Sequence, residues 1–189
     1  ATWELSKDGI GLRLAYLVGK TSLSNADVDG LAGILRQSGL SAVASAIDVD
    51  EENSSFMGMA LSVDQNDWIG VAEITRTEVK DSLISEQNGY YVSVGHRFGS
   101  ITPYVSYEKR DNDAKREIIS MLPQGVPAQL LLGVSQAVDR FEVKRDAWNL
   151  GLRYDFHPSA AFKAQVTRLS NDITNDDASL ITLGVDLVY

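Results

Sequence analysis

Apolar residues fall on every second position along much of the chain. From Ile10 the even positions read Ile10, Leu12, Leu14, Tyr16 and Val18, and between them stand Gly11, Arg13, Ala15, Leu17 and Gly19. Successive side chains of a strand point to opposite faces, so this run predicts a β-strand with one apolar face and one small or charged face. The same reading holds for Trp148, Leu150, Leu152, Tyr154 and Phe156 against Asn149, Gly151, Arg153 and Asp155. It holds again for Ile181, Leu183, Val185, Leu187 and Tyr189 against Thr182, Gly184, Asp186 and Val188. Weaker alternation marks 57–63, 68–77, 90–98, 101–109 and 160–169, and a short run spans 2–6, so eight long strands and a short first one are expected.

Four connections are tight and rich in turn formers: Lys7-Asp8-Gly9, Gln65-Asn66-Asp67, Phe98-Gly99-Ser100 and His157-Pro158-Ser159. The others, 24–54, 81–88, 112–145 and 171–178, are mostly much longer, and short and long alternate. An antiparallel up-and-down meander then carries all tight turns at one end and all long loops at the other, the asymmetry of outer-membrane barrels. Two loops are partly helical by pattern. Asn25 is placed to cap a helix through Val28, Leu31, Ile34 and Leu35 that ends near Gly39, and a second runs from Pro127 through Leu130, Leu131, Val134 and Val138. Such helices either pack over the barrel rim or fold into the lumen and narrow it.

Composition removes several alternatives. The 189 residues carry 17 Lys and Arg against 26 Asp and Glu, a net charge of −9, with 44% hydrophobic and 23% charged residues. That describes an ordered chain of one domain, or at most two small ones. An acidic balance argues against nucleic acid as a partner. Without cysteine there are no disulfides, thiolate metal sites or cysteine nucleophiles. No apolar run approaches the roughly 20 residues of a spanning helix, whereas the alternating strands of a membrane barrel average to an ordinary hydropathy. No charged-then-apolar leader precedes Ala1, so a signal peptide is expected to have been removed or to lie outside this sequence.

The alternation also fits a soluble lipocalin-like carrier, whose apolar face points inward. The aromatic residues favour lipid. Trp68, Phe98 and Phe156 lie beside tight turns with Tyr154 one step in, while Tyr90, Tyr107 and Trp148 lie toward the long loops, as two interfacial girdles would. The opposite face mixes Gly, Ser, Thr, Asn, Arg, Asp and Glu, which suits a wet lumen, and Tyr189 closes the last strand in phase with its apolar residues.

The final LITLGVDLVY is similar to the closing strand of Gram-negative outer-membrane proteins, whose terminal aromatic residue is read by the assembly machinery. WNLGLRYDFHPSAAFKAQ and GYYVSVGHRFGSITPYVSYEK resemble the C-terminal half of a porin-like family of marine gammaproteobacteria, most specifically around Asp155-Phe156-His157-Pro158-Ser159. The resemblance covers most of residues 1–189 and implies a passive channel of about sixteen strands, a homotrimer, and partners in outer-membrane lipid and lipopolysaccharide. An odd strand count leaves Ala1 on the extracellular side, which points to a missing N-terminal portion. Alternatively residues 1–9 form a tail and a closed barrel of eight strands remains, an anchor or adhesin acting through its loops.

With the polar face lumenal, strand phase directs Arg13, Arg97, Arg110, Arg153 and Lys163 inward, with Glu4, Asp64, Glu73, Glu108, Asp155 and Asp186. The bases near the tight turns form either a basic band that sets a field across the pore, or ion pairs with the acids beside them. The loops are acidic, and Asp48-Val49-Asp50-Glu51-Glu52 lacks the spacing and glycine of an EF-hand, which makes it a solvated rim before a calcium site that bridges lipopolysaccharide. His96 falls on the apolar face and His157 in a turn, neither with a Ser and Asp partner. No nucleotide-binding loop or zinc-protease motif occurs, so no enzyme, cofactor or metal is expected.

Overall fold

A computed structural model describes residues 1–187. Nine strands, β1 (Thr2–Lys7), β2 (Ile10–Leu23), β3 (Val49–Gln65), β4 (Trp68–Val79), β5 (Gln87–His96), β6 (Ile101–Asn112), β7 (Val143–His157), β8 (Ala160–Asn171) and β9 (Asp176–Leu187), form one antiparallel sheet in chain order. Four helices stand in the loops: α1 (Ala26–Gln37), α2 (Ser41–Ile47), α3 (Glu117–Ser120) and α4 (Ala128–Asp139). The fold is all-β and up-and-down, with short loop helices.

Register carries the two-faced pattern across the sheet. One rung runs Arg13, Ala60, Glu73, Tyr91, Glu108, Ala147 and Leu169; the next in one direction runs Leu12, Leu61, Ala72, Val92, Tyr107, Trp148 and Arg168. The sheet is one layer thick, yet Ala60, Thr102, Ser106, Ala147, Asn149 and Ala161 on the polar face are buried. Leu150, Ile181 and Leu183 on the apolar face stay 67%, 72% and 65% exposed. Side chains crowd one another on the inside of a curved wall and splay on its outside, so the polar face is the concave one.

At Asp8-Gly9 and Asn66-Asp67 both turn residues have positive φ, the backbone that joins twisted antiparallel strands through two residues. A side chain at Gly9 would also meet the Asp64 carbonyl at 2.1 Å. β5 stops at His96 rather than reaching Phe98, because the Arg97 N–H turns to the Asp67 carbonyl and Phe98 bridges only to Ile101 across its own turn. The loops are shorter than the polarity of their ends suggests. Asp50, Glu51 and Glu52 belong to β3, where Glu52 pairs with Thr21, and β7 begins at Val143. The connection between β8 and β9 is a turn of residues 172–175, so the alternation of short and long breaks there.

β1 is a paired strand, its register running from Thr2 opposite Ala15 to Lys7 opposite Ile10. Among the described residues β9 pairs only with β8, so residues 1–9 are no free tail and β2 to β9 do not close into a ring of eight.

The helices share a core of their own. Val28, Ala32, Leu35, Val43, Ala44, Ile47, Ile118, Val134 and Val138 are buried together with Val49, Val79, Leu83 and Ile84. These last four are strand ends and the β4–β5 connection, so the helical cap packs at the loop end of the sheet. The Asn25 side chain accepts from the N–H groups of Asp27 and Val28 at the start of α1. At its end Gly39, at φ +76°, donates to Arg36 while Leu40 donates to Leu35, the paired closure of a left-handed cap. Pro127 precedes α4 as expected. The seven residues of α2 and the four of α3 are too few for a helical period to show in the sequence.

Candidate functional site

The concave face brings together Arg13, Glu73, Glu108, Arg110, Arg153, Asp155, Lys163 and Asp186, each in phase with the buried alanines and serines of that face. Arg97 lies just past β5, and its guanidinium reaches Asp64 of the same face through two bonds of 2.6 and 2.8 Å. Near the tight turns Arg153 pairs with Asp155 at 2.7 Å and Asp186 at 3.3 Å, and Lys163 with Asp186 at 2.6 Å. Arg13 pairs with Glu73 at 3.3 Å halfway along. The bases near the turns are therefore compensated by neighbouring acids. Such pairs are wet and individually contribute little stability, but they hold long side chains against the wall.

Between these charges lies a polar network that sequence reading missed. Tyr104 of β6 lies over Gly151 of β7 and its hydroxyl donates to Gln165 Oε1 of β8 at 2.8 Å. Gln165 Nε2 donates to Asn149 Oδ1 at 2.9 Å, Thr167 to the same oxygen at 2.6 Å, and Asn149 Nδ2 to Ser106 at 3.1 Å. The interlocked amides and hydroxyls keep this stretch of wall polar and fixed. Tyr104 stands in the inward phase of β6, a signal the sequence carries, but its partners on β7 and β8 depend on register. A Cβ on Gly151 would fall 2.1 Å from Tyr104 Cζ. Gly151→Val is therefore expected to lower unfolding stability by about 1–3 kcal/mol by overpacking, read from urea titrations in lipid vesicles.

On the convex face the rings fall into two levels. Trp68 meets His96 at 4.8 Å between centroids, and His96 meets Phe98 at 4.5 Å. Tyr154 and Phe156 stand 6.2 Å apart at the same end. Tyr107 and Trp148 stand 4.8 Å apart toward the loops, where Tyr90 and the unforeseen Tyr16 also lie. Tyr189 is outside the described residues. His157 ends β7, and its Nδ1 accepts from Ser159 N–H at 3.1 Å, a turn-closing role.

The acidic segment disperses its oxygens. Asp48 pairs with Arg36, Asp50 accepts from Ser22 and Glu51 pairs with Lys20. No cluster of His, Asp or Glu suited to a metal occurs among the described residues. Asp113 in the β6–β7 loop has its carboxyl held below its ordinary range by the Lys144 ammonium of β7, 2.7 Å away. Glu142, with Asp139, raises Arg116.

No protein-family model matches the chain, and no curated protein matches its sequence. Solved structures share its fold, and it is the fold of porin barrels. A porin refined at 1.8 Å aligns with 98% of the chain at a TM-score of 0.57 and 12% identity. The anion-selective porin from Comamonas acidovorans aligns with 97% at 0.55 and 12% identity. Pseudomonas aeruginosa OccD3 (OpdP) aligns with 100% at 0.53 and 10% identity. The chain spans 50%, 42% and 48% of these proteins, about half of each.

Proposed function

We propose that this chain forms part of the wall of an outer-membrane channel for passive diffusion of small hydrophilic solutes or ions. One observation carries the reading: a single-layer sheet whose convex face is apolar and exposed through its middle, edged by aromatic rings and charged only toward the loop end, and whose concave face is polar and ion-paired. Exposed leucines on this scale are costly in water and favourable against lipid. In this reading Trp68, Tyr90, Phe98, Tyr107, Trp148, Tyr154, Phe156 and Tyr189 anchor the interfaces. Arg13, Glu73, Arg97, Glu108, Arg110, Arg153, Asp155, Lys163 and Asp186 line the lumen. Hydrogen bonding between neighbouring strands satisfies the backbone in lipid, and the inward polar groups replace part of a solute's hydration.

The proposal extends to a barrel of about sixteen strands, in trimers, inserted through its final strand and bordered by lipopolysaccharide at the loop end. The helical cap then narrows the mouth from the rim. The likeness to porins, which are channels, favours transport over catalysis. An inward apolar cavity, which a lipocalin-like carrier needs, is opposed by the outward exposure of Leu152, Leu183 and Leu187. The protein should require detergent and give discrete conductance steps in planar bilayers. Well-inserted protein that stays silent overturns the channel and favours an anchor; protein that is monodisperse in plain buffer overturns the membrane reading.

A further inference from the structure

Arg110 of β6 and Arg145 of β7 are direct cross-strand partners on the concave face. Side chains so placed have Cβ atoms about 4.5–5.5 Å apart, and like charges there destabilise the sheet. Among the described residues neither guanidinium pairs with a carboxylate, whereas Arg13, Arg97, Arg153 and Lys163 on the same face all do. Both are exposed. The flanking positions on their rung are Gly89 of β5 and Asn171 of β8, one without a side chain and one a neutral donor. Glu108 is the nearest acid of the same phase, two residues toward the turns, and Asp176 lies opposite Asn171 on β9. Lys109, Asp111, Lys144 and Asp146 project from the other face. Depressions open on either side of Arg110, and each has acids in its lining: Glu108 and Asp146 stand with Arg145 in the first, Glu73 and Glu108 with Lys109 and Gly89 in the second.

We propose that Arg110 and Arg145 form a subsite on the inner wall, at the loop end, that binds the oxyanion group of a small solute, a carboxylate or a phosphate. In a chain with a net charge of −9, two facing cations without a counter-charge are the exception. An oxyanion entering between them accepts from two planar forks at once and cancels their repulsion. Asn171 adds an amide donor beside Arg145, and Gly89 leaves room beside Arg110. The inference rests on the concave face being a water-filled lumen.

The test is calorimetric titration of the purified full chain in detergent with inorganic phosphate and, separately, with malonate, chloride being the background anion. Saturable binding of either probe is expected. Arg110→Gln and Arg145→Gln should each weaken it roughly tenfold or more, as loss of a charge-assisted hydrogen bond does. Arg168→Gln, on the opposite face and paired with Asp177, should leave it unchanged. The double variant should also raise the urea midpoint, because like-charge repulsion is removed. Absence of saturable binding for both probes, unchanged binding in the double variant, or a lowered midpoint overturns the subsite. Binding lost on substitution in a protein that does not conduct sustains the subsite and defeats the channel; conductance without binding defeats the subsite alone.

Discussion

Arginine in place of Leu150 is expected to destabilise the folded sheet by about 2–4 kcal/mol in a lipid bilayer, the cost of a guanidinium near the bilayer midplane. Leu150 stands midway along β7, between Val105 of β6 and Val166 of β8, and is 67% exposed on the convex face. In water such an exposed leucine tolerates the change within about 0.5 kcal/mol. The two surroundings therefore differ several-fold in the expected loss. Reversible urea unfolding of Leu150→Arg in vesicles, set against the unsubstituted protein, measures it. A loss below about 1 kcal/mol would remove lipid from the convex face, and the channel with it. Leu183 of β9, opposite Ala164 of β8, should behave alike, whereas arginine at Trp148, which the proposal puts at the interface, should cost less.

Leu35→Ala is expected to cost about 2–5 kcal/mol, confined to the helical cap. Leu35 is fully buried among Val28, Val43, Ile47 and Val134, and its carbonyl also receives the Leu40 N–H that closes α1. The truncation leaves a cavity where four short helices meet, and these helices touch the sheet through its ends at Val49 and Val79. Local opening should follow rather than global unfolding. Hydrogen exchange is the measurement: amides of α1, α2 and α4 lose protection while those of β6, β7 and β8 keep theirs. Loss of protection across the strands would show that cap and sheet unfold as one unit. If the cap narrows the mouth, the same variant should broaden the conductance steps without changing how the protein inserts.

Much of the fold was legible because its signals are local. The strand from Ile10 announces its faces through a period of two, and Asp8-Gly9 and Asn66-Asp67 announce their turns through residues that accept positive φ. Asn25 and Gly39 mark α1 because a cap is a contact within a few residues. The strand ends near the loops are hard to read because Asp50, Glu51 and Glu52 are polar at the start of β3, and polarity there imitates a loop. The same polarity hides Arg145. The inward phase of Ala147, Asn149, Gly151 and Arg153 extends back to it, but the charged run from Glu142 to Asp146 reads as loop.

The candidate site was half visible. Strand phase put Arg13, Arg97, Arg153 and Lys163 on one face with Asp64, Glu73, Asp155 and Asp186. It left open whether the bases formed a band or pairs.

The sequence by itself determined the alternation of faces, the tight turns, the two longer helices and the acidic balance, since each depends on residues adjacent in the chain. Tertiary structure alone decided which charges meet, that Tyr104 lies over Gly151, that β1 is a paired strand, and that Arg110 faces Arg145 with no acid paired to either. Those facts depend on register between strands far apart in sequence. A slip of one residue would preserve every local pattern and change every partner.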